Sequence, residues 1–212
     1  MEDEFMVLCY QGDLEGAKRI LKKYPYINIS YEEELVFCNA CFNGHLNIAK
    51  WLLSVKPDIN ISINNERAFR SACFKDHLEV AKWLLSVKPD IDISAANEYP
   101  FCWACYNGHL EVAQWLLSVK PDINISMYND HAFRSACYNG HLEVAKWLQT
   151  LKPYLYVIEY DVNGKYICFK IREKEQANWE KRKYALHLTL QEETNIMYHL
   201  PIDIAKSVTI FV

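Results

Sequence analysis

The sequence predicts an all-α repeat solenoid of helix–turn–helix–finger units, followed by a C-terminal tail made of a β-hairpin and a helix. Three observations carry this prediction. Residue types recur in register every 32 positions: Pro25, Pro57, Pro89, Pro121 and Pro153; Cys9, Cys41, Cys73, Cys105 and Cys137; Phe5, Phe37, Phe69, Phe101 and Phe133. His45, His77, His109 and His141 keep the interval, as do Trp51, Trp83, Trp115 and Trp147. Each unit also holds two apolar-periodic stretches parted by a helix breaker, and the pattern decays near Ile158, where β-rich runs begin. A unit of this size cannot bury its apolar face alone, so identical residues recur where neighbours stack.

The elements of one unit follow from its residues in order. Phe69-Arg70-Ser71-Ala72-Cys73-Phe74 places apolar residues at i, i+3, i+4 and i+5, the spacing of a short helix. Lys75-Asp76 then breaks it, as Asn43-Gly44, Asn107-Gly108 and Asn139-Gly140 do in the sister units, because Gly, Asn and Asp tolerate the left-handed conformation. A second helix is expected over His77–Val87, with Leu78, Ala81, Leu84 and Leu85 on one stripe and Glu79 and Lys82 outward. Lys88-Pro89 ends it, since a residue before proline disfavours the α region. Ile91-Asp92-Ile93-Ser94 is extended and leads into a loop. An acidic residue precedes every first helix at the same phase (Glu2, Glu34, Glu66, Glu98, Asp130), where it can act on the helix dipole, Asp130 also as a cap.

Five units are expected at about residues 1–30, 31–62, 63–94, 95–126 and 127–158, with a separate tail over 159–212. In the tail, Asn163-Gly164 between the runs Tyr154–Val162 and Lys165–Ile171 signals a hairpin, and the charged stretch Arg172–Tyr184 is helix-prone. Pro201 suits the first turn of a last helix, on which Ile204, Val208 and Phe211 form an apolar stripe.

The segment Gly108-His109-Leu110-Glu111-Val112-Ala113-Gln114-Trp115-Leu116-Leu117, followed by Asp122-Ile123-Asn124, resembles the ankyrin repeat, with its G-H-L-E-V-V-x-x-L-L and D-V-N. The likeness covers about three quarters of the chain, and the phrasing is similar to the ankyrin-repeat proteins of giant DNA viruses of amoebae. Two departures stand out: the family's T-P-L-H opening is nearly absent, and the unit is one residue short of the usual 33. The end of the chain, over 198–212 with its Leu200-Pro201-Ile202-Asp203-Ile204, resembles the truncated F-box-like motif of poxvirus ankyrin proteins. That resemblance implies an adaptor reading in which Leu200, Pro201, Ile204, Val208 and Phe211 contact a Skp-class adaptor of a cullin–RING ubiquitin ligase.

Variation between the units points to the binding surface. The stacking positions hardly change, whereas the finger and the start of the first helix differ from unit to unit. The candidate partner-binding residues are Tyr31, Leu35, Asn39, Asn64, Arg67, Arg70, Tyr99, Trp103, Tyr128, His131 and Arg134. In ankyrin-repeat proteins this concave face meets other proteins, and Trp, Tyr and Arg are the types enriched in binding hot spots. Drift without function would not favour Trp and Arg on an exposed face.

Other chemistries find little footing. Cys38-x-x-Cys41 and Cys102-x-x-Cys105 look like half zinc sites, but their second cysteines occupy the repeat's small packing slot and the pairs stand two units apart. At roughly 8–10 Å per helix layer they cannot share one ion, so no metal and no cofactor are expected. The His and Trp series are expected to be structural, and the Asn-x-Ser triplets at Asn28, Asn60 and Asn124 are by-products of the repeat. No Gly-rich phosphate loop, G-x-S-x-G or H-E-x-x-H occurs, so no enzymatic activity is expected. A net charge of −4 disfavours nucleic acid and anionic lipid. No apolar run approaches the roughly 18 residues of a membrane span. With no signal peptide in view, the chain reads as a cytoplasmic, monomeric protein (host-cell cytoplasm if viral), its eight cysteines mostly one buried residue copied through the repeats.

Overall fold

The computed structural model describes residues 2–153, 155–160, 166–170 and 209–211. The chain divides into two compact units, Met1–Asn129 and Asp130–Val212. The first holds four antiparallel helix pairs: α1 (Glu2–Gln11) with α2 (Leu14–Lys23), α3 (Tyr31–Phe42) with α4 (Leu46–Val55), α5 (Ile63–Phe74) with α6 (Leu78–Val87), and α7 (Ala95–Tyr106) with α8 (Leu110–Val119). Helix α9 (Met127–Tyr138) begins in this unit and runs into the second, which contains α10 (Leu142–Leu151) and a three-stranded sheet. The chain is an all-α repeat solenoid with a small tail, and none of its described helices is long and apolar enough to cross a membrane.

Helices α3, α5, α7 and α9 are each entered through a left-handed turn. Asn64, Asn65 and Glu66 have φ of 53°, 59° and 61°, and Ala96, Asn97 and Glu98 repeat this at 55°, 60° and 62°. The right-handed part of α5 therefore starts at Arg67 and that of α7 at Tyr99. Non-glycine residues in this region cost about 1 kcal/mol each. Asparagine lowers that cost, and hydrogen bonds close the turn: Glu66 N–H donates to Ser62 O at 3.3 Å and Glu98 N–H to Ser94 O at 3.0 Å.

The acidic residue that ends this turn is buried, with Glu34, Glu66 and Glu98 each 7% exposed. Beyond any action on the helix dipole, it fastens one finger to the next. Ser30 Oγ donates to Glu34 Oε2 and Ser62 Oγ to Glu66 Oε1, both at 2.7 Å. The other contact reaches 26 residues on: Asn60 N–H to Glu34 and Asp92 N–H to Glu66 at 3.4 Å, and Asn124 N–H to Glu98 at 3.2 Å. In the third repetition only the inter-finger bond forms, because Ser94 Oγ and Glu98 Oε2 have no partner. The Asn/Asp that starts each finger shapes it by an Asx turn, accepting from the serine N–H two residues on, as from Ser62 at 3.2 Å and Ser94 at 3.0 Å. That local bond gives the Asn-x-Ser triplets a structural purpose.

Two further ladders run through the first unit. The fully buried Phe5, Phe37 and Phe69 meet Trp51, Trp83 and Trp115 of the following repetition at centroid distances of 6.1, 6.3 and 6.2 Å. Histidine rings bond the preceding first helix: His45 Nε2 lies 2.9 Å from Tyr10 O and His109 Nε2 3.0 Å from Phe74 O. A carbonyl can only accept, so these nitrogens donate. The glycine turns leave room for those rings, since Gly44 has φ 76° and an added Cβ would sit 2.6 Å from His77 Nδ1. Asp76 replaces the glycine once, at φ 65°, and its carboxylate lies 3.7 Å from His109 Nδ1.

In the second unit Tyr156 stands where Asn60, Asp92 and Asn124 stand in their fingers, three residues after the proline. Its ring is fully buried and stacks on Phe133 at 4.1 Å, and its hydroxyl donates to Asp130 Oδ1 at 2.5 Å. Tyr156 opens β1 (Tyr156–Tyr160), which packs on α10 and pairs antiparallel with β2 (Tyr166–Lys170), the expected hairpin. Cys137 of α9 and Cys168 of β2 form a disulfide, with Cα atoms 6.0 Å apart. Cys137 thus departs from the expectation that the repeat cysteines are packing residues alone.

The expected last helix is corrected where it is described. Thr209–Phe211 is a strand, β3, antiparallel to β2 with Phe211 opposite Cys168. β-branched and aromatic residues favour strands, and the open edge of β2 gives this run a ladder to join. Leu200, Pro201, Ile204, Val208 and the charged stretch Arg172–Tyr184 lie outside the described residues.

Two outcomes follow from the ladders. Glu66→Ala strands the Ser62 hydroxyl and the Asp92 N–H and should lower stability by about 1–3 kcal/mol. Glu111→Ala on the exposed side of α8 should stay within about 0.5 kcal/mol, both read from urea denaturation midpoints. Burial holds the His77 imidazolium below its usual pKa of 6.5. The unfolded chain then takes up the proton more readily, so stability is complete above pH 6.5 and falls as pH drops below it. Denaturation midpoints at pH 7.5 and 5.5 should show this loss, and His77→Gln should reduce it.

Candidate partner-binding face

The left-handed turn fixes where the first helices begin, and so which residues they present. Arg67 and Arg70 lie one and four residues after Glu66, and Tyr99 and Trp103 one and five residues after Glu98. All four are half-buried. Arg70 lies over the Tyr99 ring with its guanidinium carbon 5.0 Å from the centroid, and its Nη2 donates to Asn64 O at 3.0 Å. Tyr99 stands 5.3 Å from Trp103, which in turn meets Phe74 at 5.5 Å and Tyr106 at 4.7 Å. A cation stacked on an aromatic ring is worth about 0.5–1 kcal/mol at a partly exposed site. Aromatic pairs add a similar amount, so this cluster is held in one arrangement before anything binds.

The other candidates flank the cluster. Tyr31 begins α3, Leu35 and Asn39 are half-buried further along it, and the Asn39 carbonyl accepts from the Asn43 side chain at 2.9 Å. Asn64 and Tyr128 are exposed in their left-handed turns, and the Tyr128 hydroxyl accepts from Asn97 Nδ2 at 2.9 Å. In the second unit His131 and Arg134 are half-buried on α9. Burial, and then the Arg134 charge, hold the His131 imidazolium below its usual pKa. Within the first unit the geometry thus joins Asn64, Arg70, Tyr99 and Trp103 into one cluster.

Some members of the face are ones that repeat variation alone overlooks. Phe42, Phe74 and Tyr106 belong to the constant set, yet each is half-buried. Phe74 and Tyr106 pack against Trp103, and Lys75 Nζ lies 4.8 Å from the Phe42 centroid and 5.5 Å from that of Phe74. The signal was helical spacing: Arg70 to Phe74 is i+4 and Trp103 to Tyr106 is i+3, so both fall on the varied face.

The Cys-x-x-Cys pairs are buried under this face. Burial pushes the Cys38 thiol up to about 11 and the Cys102 thiol to about 12, with Cys41 and Cys105 also raised well above their ordinary value. Among the described residues no three His, Cys, Asp or Glu side chains are grouped to hold a metal ion. At pH 8 the thiolate fraction of Cys38 is on the order of one in a thousand. Native protein at pH 8 should therefore leave these four thiols unmodified by iodoacetamide, with full labelling in urea, read by mass spectrometry.

Family comparison agrees with this architecture. The family profile for ankyrin repeats in three copies matches residues 5–97, and that for ankyrin repeats in many copies matches residues 101–149. No curated protein matches the chain significantly. The paired helices recurring every 32 residues and these two adjoining matches lead to one conclusion: the chain belongs to the ankyrin-repeat family.

Proposed function

We propose that the chain is a monomeric, non-enzymatic scaffold that binds a protein partner on its finger and first-helix face. Ankyrin repeats generally mediate protein–protein interactions, and the class of partner follows from the family. The observation that carries the choice of face is the half-exposed cluster of Arg70, Tyr99 and Trp103 on α5 and α7. Stacked aromatic and guanidinium groups lose little conformational freedom on binding, which is what makes such residues effective anchors. The opposite helices carry exposed side chains already paired along their own surface, such as Lys82 with Glu79 at 2.9 Å. Recruitment of a Skp-class adaptor rests on a terminal F-box-like helix, and the strand over Thr209–Phe211 gives that reading no support.

Affinity capture from a lysate tests the face. Trp103→Ala, and separately Arg134→Ala in the second unit, should each reduce recovery of a specific partner by about tenfold or more, as expected of hot-spot truncation. Circular dichroism should show both variants folded. Full recovery of every partner by both would refute the assignment.

A further inference from the structure

Several lysines of the first unit are neutralised by a carboxylate close at hand. Along the second helices and the turns that leave them, Lys18, Lys56, Lys82, Lys88 and Lys120 each have a carboxylate within 3.0 Å. On α5 and at its C-cap the cations have none: among the described residues no carboxylate pairs with Arg67, Arg70 or Lys75. Their neighbours are aromatic rings and a carbonyl instead, Tyr99 and Asn64 O for Arg70, Phe42 and Phe74 for Lys75. Arg70 Nε is also buried without a hydrogen-bond partner, a donor the fold leaves unmet. The carboxylates nearest in sequence are spent elsewhere, Glu66 on Ser62 and the Asp92 N–H, and Asp76 beside His109. A protein of net charge −4 therefore presents unneutralised cations interleaved with aromatic rings on one helix pair.

We infer that the α5–α7 face receives an acidic peptide segment, whose carboxylates pair with Arg67, Arg70 and Lys75 while an aromatic or aliphatic side chain rests on Trp103. This inference rests on the proposed binding face and adds the chemistry of what binds there. A carboxylate matches the guanidinium fork geometrically, and pairing beside an aromatic ring takes place where water is already partly excluded. A polynucleotide also offers anions and rings, but the overall negative charge opposes its dense phosphate array, whereas a short acidic segment needs only the local cations.

The test uses the full chain and fluorescein-labelled random copolymers, with binding read as anisotropy. Glutamate–tyrosine copolymer should bind about tenfold or more tightly than lysine–tyrosine copolymer of equal length, and the binding should weaken with added salt. Arg67→Glu with Arg70→Glu should lose this preference, while Lys82→Glu with Lys120→Glu, the same change in net charge at the second helices, should hold affinity within about twofold. Equal binding of the two copolymers, equal loss in both double variants, or tighter binding of oligothymidylate would each overturn the inference. Partner capture separates this from failure of the face itself. A partner lost with Trp103→Ala but retained by Arg67→Glu/Arg70→Glu leaves the face standing and removes the acidic segment.

Discussion

The placing of each finger and of the first helix beside it depends on one buried carboxylate in every repetition from the second onward. Glu34, Glu66 and Glu98 each end a left-handed turn and accept an N–H from the finger that follows. Burying an unpaired carboxylate is costly, so each glutamate makes the next finger's position a condition of its own burial. The strained turn and the clamp are mutually dependent: without the turn the carboxylate points away, and without the clamp nothing holds three non-glycine residues at positive φ. Neighbour-to-neighbour coupling of this kind is what lets a repeat array fold as a cooperative body while each unit contacts only the next.

The proposed binding surface is a by-product of that clamp. Because α5 turns right-handed only at Arg67, the first accessible turn of the helix carries the variable residues, one position after an invariant acid. Framework and recognition are thereby separated along a few residues of chain. Phe69 and Cys73 face the stack and are sealed, while Arg70 and Phe74, one step further round, meet solvent and Trp103's neighbourhood. Substitutions at the second set can change what binds without disturbing the first, which is how a repetitive scaffold accommodates different partners.

Much of this was legible in the sequence. The 32-residue interval located every helix pair, the pre-proline lysines marked the ends of the second helices, and the Asn-Gly signal found the hairpin of β1 and β2. The role of the acidic series was legible only in part, because its periodicity shows that Glu66 matters but not that Asp92 N–H lies 26 residues on and within reach. The left-handed turns were hidden for a similar reason: Asn64-Asn65 hints at positive φ, but Ala96 carries no such signal and is held there by its surroundings. Helical spacing misled at the end of the chain, where an apolar stripe over Ile204, Val208 and Phe211 fits a helix while the open edge of β2 recruits Thr209–Phe211 as a strand. Of the proposed binding residues, variation singles out Arg70, Tyr99 and Trp103, whereas Phe74 and Tyr106, which pack against Trp103, sit among the constant positions.

The tyrosine at position 156 has a consequence for how such a protein can change in length. In the earlier fingers the acceptor is met by a backbone N–H, which any duplicated unit would supply again. At Asp130 it is met by a phenol whose ring also covers Phe133, so the chemical request is answered from within the same segment. Whole units copied upstream of Asp130 would supply the same backbone donor again, whereas after Tyr156 the Asp130 Oδ1 is already taken by the phenol. Gain and loss of repeats in the descendants of this gene should therefore be internal, with Asp130 and Tyr156 inherited together as a fixed terminus.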